Sequence, residues 1–191
     1  MLTFEKEDHI YKYNGIKVPS VTQIIKEAGL SELNSVPQEI LEEKADIGNK
    51  VHKATELYDR DNLDVDSIHP ILLNYVSSWE KFRKDFQFIP EEIELELVHN
   101  LYRFAGRVDR VGTIYGKKSK VIVDIKTGMK LKSHSLQTAG YKLLYEQNGK
   151  ISKRFSVYLT QEDYKISEHK NRYDENVFLA ALTITNYKRG A

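Results

Sequence analysis

Residues 121–128 read VIVDIKTG. An apolar run fit for a buried strand ends by setting Asp124 and Lys126 two positions apart. Alternate residues of a strand share a face, so the carboxylate and the amine point the same way just before a turn. Buried charge is costly unless it is paired or coordinated. A solvent-facing ion pair at a strand end is the competing reading of these two residues alone. The same acid-x-lysine spacing recurs at Glu42/Lys44, Asp163/Lys165 and Glu168/Lys170, all in polar segments.

Asp109, in FAGRVDRVG, adds a second acid. Antiparallel pairing about a turn near Gly116 sets Asp109 beside Asp124. Two carboxylates side by side repel, and a divalent cation between them removes that cost. A shifted register would instead turn Asp109 to the other face, toward Arg107 or Arg110. In GNKVHKATE, Gly48, His52 and Glu56 form one helical stripe. Imidazole suits manganese better than magnesium. Glu56 is expected to support the site or to be solvated. In SLQTAGYKLLY, Gln137 and Tyr141 are i, i+4 neighbours able to orient a phosphate or a base. The bland readings are a surface histidine and a solvated helix face, with Leu136, Gly140 and Leu143 marking the buried side.

The elements that must carry these groups follow from pattern. HIYKY-NG-IKV predicts a hairpin about Asn14-Gly15. PSVTQIIKEAG predicts a short helix capped by Ser20 or Thr22 and ended by Gly29. A helix is expected from about Pro37 to Tyr58, with Ile47, Val51, Ala54 and Tyr58 as its core stripe. Pro70 starts another, with Leu72, Tyr75, Val76, Trp79, Phe82 and Phe86 inward. EEIELELV alternates as a strand, and FAGRVDRVGTI and KVIVDIK follow. A helix closed by Gly149, the strand KRFSVYLT, a polar stretch and a last helix capped by Asp174 complete the chain. This order predicts an α/β fold with a central mixed sheet flanked by helices, an αβββαβ core and an N-terminal β-hairpin.

The chain has 191 residues, 40% hydrophobic and 30% charged, with a net charge of +1 and no cysteine. That composition is globular, and it excludes disulfides, zinc-thiolate sites and iron–sulfur clusters. The even charge balance argues weakly against a nucleic-acid binder but leaves room for a local basic patch. No apolar run approaches the roughly 20 residues of a membrane span, and no leader composition opens the chain. A cytoplasmic protein is expected.

Together VPSVTQII, GNKVH, AGRVDRVG, VIVDIKTG and QTAGY resemble, in that order, the PD-(D/E)XK nuclease superfamily. The nearest branch comprises RecB-type nucleases, phage exonucleases and the mitochondrial genome maintenance exonuclease. The resemblance implies one restriction-endonuclease-like domain over 1–191: an N-terminal hairpin and PSVT segment (1–36), the core (37–160) and a C-terminal helix (161–191). It implies that Asp109, Asp124 and Lys126 are catalytic. Metal ligation falls to His52, Asp109, Asp124 and the carbonyl of Ile125. Ser20, Thr22, Lys130, Gln137 and Tyr141 would contact DNA, and Lys132, Lys142, Lys150 and Arg154 could add charge. Residues 29–46 stand where relatives carry a helical cover.

The implied activity is that of an Mg2+-dependent DNA exonuclease, with Mn2+ as substitute, acting on single-stranded or free-ended DNA. A recombination or single-strand-binding protein is an expected partner, in a bacterial or phage setting. The competing readings are a nuclease-fold accessory that only binds nucleic acid and a structure-specific endonuclease.

Overall fold

Turn and cap chemistry decides the local structure. Asn14 and Gly15 both take positive φ (51° and 80°), as a type I′ turn requires. They join β2 (Ile10–Tyr13) to β3 (Ile16–Val18). The computed structural model describes residues 1–5 and 10–190, so His9, expected at the start of this hairpin, lies outside the described residues. A further strand, β1 (Leu2–Glu5), pairs with β2 and makes the hairpin a three-stranded sheet. Of the two candidate caps, Ser20 caps α1 (Val21–Glu27): its hydroxyl accepts from Gln23 N while the Gln23 side chain accepts from Ser20 N.

A 3-10 turn (Glu32–Ser35) leads into α2 (Gln38–Asp59), and Pro70 opens α3 (Pro70–Asp85) as its first residue. Then come β4 (Ile89–Val98), β5 (Ala105–Thr113), β6 (Lys120–Lys126), α4 (Ser133–Tyr145), β7 (Ile151–Leu159), β8 (Tyr164–Glu168) and α5 (Asp174–Arg189). The main sheet runs β4-β5-β6-β7-β8. Only β6 and β7 are parallel, with α4 as their crossover. The αβββαβ order is present, with α3 inserted after the first helix.

Both faces of this sheet are covered, which explains the apolar run in β6. Val121, Val123 and Ile125 pack with Val51, Trp79 and Phe82 of α2 and α3. Ile122 packs with Val21, Ile24, Tyr141, Leu144 and Phe178 of α1, α4 and α5. Asp124 and Lys126 alternate with the first group and so fall on the second side.

Several expectations change in the structure. Ile47 is 41% exposed and leaves the core stripe to Val51 and Ala54, with Tyr58 partly buried at its edge. Helix α4 ends at Tyr145, and Gly149 N bonds back to Tyr145 O beyond it. The polar stretch after β7 contains an edge strand, β8, whose ladder is satisfied by β7 on one side. Asp174 is the first residue of α5 rather than its cap, since its carboxylate is drawn to Arg154 at 2.9 Å.

Candidate metal centre

Strand β5 brings the acids together. Its pairs with β6, Arg110↔Val123, Val111↔Ile122 and Gly112↔Val121, carry the register expected from the turn. One step further in that register Asp109 meets Asp124. There the ladder gives way: the Asp109 carboxylate accepts from Ile125 N at 2.7 Å. The side chain thus satisfies a strand N–H as the two strands part. On the other edge of β5, Ile93↔Arg110 and Leu95↔Val108 set Glu94 opposite Asp109. Glu94 takes a φ of 52°, a left-handed conformation that an ordinary side chain seldom adopts.

His52 arrives from α2. Its Nδ1 lies 3.7 Å from Asp109 Oδ2 and 3.8 Å from Glu94 Oε1. One ligand atom from each of His52, Glu94 and Asp109 lies within 4.8 Å of the others. Asp124 stands beside this group with no exposed surface. Its Oδ1 receives Lys126 Nζ at 2.9 Å, and its Oδ2 accepts from Ser156 Oγ at 3.2 Å. The acid and amine therefore do share a side.

Electrostatics reports the crowding. Burial, with Asp124 and Glu94 adding to it, pushes the Asp109 carboxyl up to about 6 although His52 and Lys126 oppose the rise. Burial alone would lower His52, but Asp109 and Glu94 outweigh it and raise it. Glu94 is lowered despite burial, by His52, Arg110 and Arg107. Two carboxylates and an imidazole with an unmet negative charge suit a hard divalent cation.

A cleft of about 540 Å3 opens on the group, lined by Ser20, Thr22, His52, Glu94, Arg107, Asp109 and Tyr141 among others. Tyr141 is buried, not solvated, because α4 closes tightly on β5 and α1. A Cβ at Gly106 would meet Leu144 Cδ1 at 3.0 Å and Tyr141 Cε1 at 3.3 Å, and one at Gly140 would meet Val21 Cγ1 at 2.9 Å. The two glycines of AGRVD and TAGY thus let the motifs touch. Burial first, then Asp109 and Asp124, raise the Tyr141 phenol well above its usual range. Gln137 Nε2 donates to Tyr141 Oη at 2.8 Å. Gln137 itself lines an adjoining cavity of about 450 Å3 with Leu33, Leu41 and His134, and Thr22 lines both.

Not every expected residue joins the cleft. Asp124, Ile125, Lys126 and Lys130 are outside its lining, although Asp124 and Lys126 act on Asp109 through their charge. Arg154 is buried on Asp174, and Lys142 is held by Glu175 at 2.7 Å. Neither is a free surface cation. Glu56 pairs with Lys53 and Arg60 at the cleft wall.

Sequence reading missed Glu94. In EEIELELV it has the same standing as Glu92 and Glu96, and only the register opposite Asp109 singles it out. It also missed Asp59, whose buried carboxylate takes Trp79 Nε1 at 2.9 Å, Arg83 at 2.8 Å and Arg110 Nε at 2.6 Å. Arg110 Nη1 then reaches Glu94 Oε1 at 2.9 Å and helps fix that side chain.

Among known proteins, the profile of the PD-(D/E)XK nuclease superfamily matches residues 65–183, more than half of the chain. No curated protein matches the sequence. Among solved structures, one named "Putative exonuclease" from Eubacterium rectale is similar with a TM-score of 0.51 at 12% identity, covering 93% of this chain and 78% of that one. Another, named SSO0001, shows a TM-score of 0.42 at 18% identity over 62% of this chain and 58% of that one. The described residues contain no helix long and apolar enough to cross a membrane.

Proposed function

The chain belongs to the PD-(D/E)XK nuclease superfamily, and on that premise we propose that it is a divalent-metal-dependent exonuclease hydrolysing phosphodiester bonds of single-stranded or free-ended DNA. The observation that carries this reading is the convergence of His52, Glu94 and Asp109 to within 4.8 Å, with the Asp124–Lys126 pair alongside.

Asp109, Asp124, His52 and the Ile125 carbonyl would hold Mg2+ or Mn2+, and Glu94 joins them. The cation supplies Lewis acidity, which lowers the cost of charge on the phosphate and of making hydroxide from water. Lys126 neutralises Asp124 in its absence. Lys126, at 2.9 Å from Asp124, would hold the attacking water and stabilise the developing negative charge if Asp124 served as a ligand. Tyr141 keeps its proton at neutral pH. Because Gln137 already donates to the phenolic oxygen, that proton is available to a phosphate oxygen. Ser20 and Thr22 offer hydroxyls at the cleft wall.

The adjoining cavities that share Thr22 support a path for one strand. Leu33, from the segment before α2, and Leu41, within its start, line the second of them, which supports threading of a free end. The test is cleavage, with magnesium, of end-labelled linear and covalently closed circular single-stranded DNA. Degradation of the linear form alone supports the reading. Cutting of circles makes the protein an endonuclease, and binding without cleavage of either makes it an accessory.

A further inference from the structure

Arg107 sits two residues before Asp109 on β5, so both side chains fall on one side of the strand, about 6.6 Å apart along it. Both line the cleft. The Arg107 guanidinium lies 5.8 Å from the Phe4 ring centroid, and Phe4 stacks on buried Tyr11 with centroids 4.4 Å apart. Its Nε meets Glu94 Oε2 at 3.1 Å, and the side chain is 40% exposed. Among the described residues, nothing hydrogen-bonds its two terminal amino groups. Glu94 is shared with Arg110 and His52, so Arg107 does not have that carboxylate to itself. A planar guanidinium that lines the cleft, contacts Glu94 through Nε and Phe4 through its plane, and has no hydrogen bond to its terminal amino groups among the described residues suits bidentate binding of a phosphodiester.

We infer that Arg107 binds the backbone phosphate next to the scissile one, and that the N-terminal sheet braces it through Phe4. The inference rests on the nuclease reading and gives its site a second phosphate position. Base identity plays no part in this contact, so it serves any single-stranded sequence.

The test measures binding of fluorescein-labelled oligodeoxythymidylate in EDTA, across a salt series, by the wild type and by Arg107→Gln and Arg107→Ala. Glutamine keeps a donor for Glu94 but removes the charge. Both variants are expected to bind on the order of tenfold more weakly. Their log K against log salt should be shallower by about 0.7, the loss of one phosphate contact on a single strand. Replacing one phosphodiester by a methylphosphonate should weaken the wild type at a single linkage flanking the cut, and leave Arg107→Gln indifferent there. Mn2+ binding by calorimetry should be the same in Arg107→Gln and wild type. An unchanged salt slope overturns the inference, and so does lost Mn2+ affinity in Arg107→Gln, which would show that the residue acts through Glu94. If the wild type itself neither binds nor cuts the oligonucleotide, the nuclease reading fails, and the inference with it.

Discussion

Asp109 and Arg110 are adjacent in sequence and meet opposite fates. Arg110 is buried against Asp59, which accepts three donors between 2.6 and 2.9 Å. The Asp109 carboxylate has one donor at 2.7 Å, an imidazole no nearer than 3.7 Å and two further acids beside it. One cluster is electrostatically complete. The other is short of positive charge and opens into a cleft. A protein gains stability from the first arrangement and gives some up for the second, which is the expected mark of a site awaiting a cation and an anionic substrate.

Substitutions should separate the two clusters. Asp109→Asn and Asp124→Asn are each expected to cut hydrolysis by at least about 1000-fold in a gel assay with magnesium, since each removes a ligand charge from the transition state. The melting temperature of metal-free Asp109→Asn should not fall. Asp59→Ala should do the reverse in kind: a loss of about 3–5 kcal/mol in denaturant unfolding, because Arg110 is left buried without its partner. If Asp59→Ala proves harmless to folding, the contrast between the clusters fails. Glu94→Gln is expected to lower metal affinity and activity by roughly 10- to 100-fold, to be read by calorimetry and steady-state kinetics.

The smallest effect concerns pH. The Asp109 carboxyl is raised in the fold to about 6 from 3.8, and His52 is raised as well. Both groups bind protons more tightly folded than unfolded. Their stabilising contribution is therefore complete at low pH and is lost as pH rises through the folded values. The metal-free protein should melt roughly 5 °C lower at pH 7.5 than at pH 5 from this source. Asp109→Asn should flatten the dependence, and millimolar Mn2+ at pH 7.5 should restore the melting temperature.

Much of this architecture is legible in the sequence because the signals are local. Asn14-Gly15 fixes a turn by its backbone preference, Pro70 opens a helix, and the turn near Gly116 sets the register that aligns Asp109 with Asp124. The apolar VIV of β6 announces a strand covered on both faces. What escapes depends on partners distant in sequence. Glu94 matters only because β4 lies against β5 in one register, and nothing in EEIELELV distinguishes it from its neighbours. Asp59 lies at the end of an amphipathic helix where an exposed acid would be ordinary. Trp79, Arg83 and Arg110 draw it inward. Arg154 has the composition of a surface cation, yet Asp174 on α5 buries it. Strand β8 hides among polar residues because an edge strand needs only one apolar neighbour.

Asp109 and Asp124 are proposed to serve one cation together with His52. Crystals soaked in Mn2+ and measured at its absorption edge test it directly. The expected result is an anomalous peak bounded by Asp109, Asp124 and His52, with Lys126 moved off Asp124. A fully substituted crystal with no peak there, or with Lys126 still on Asp124 and manganese only at surface carboxylates, would contradict it.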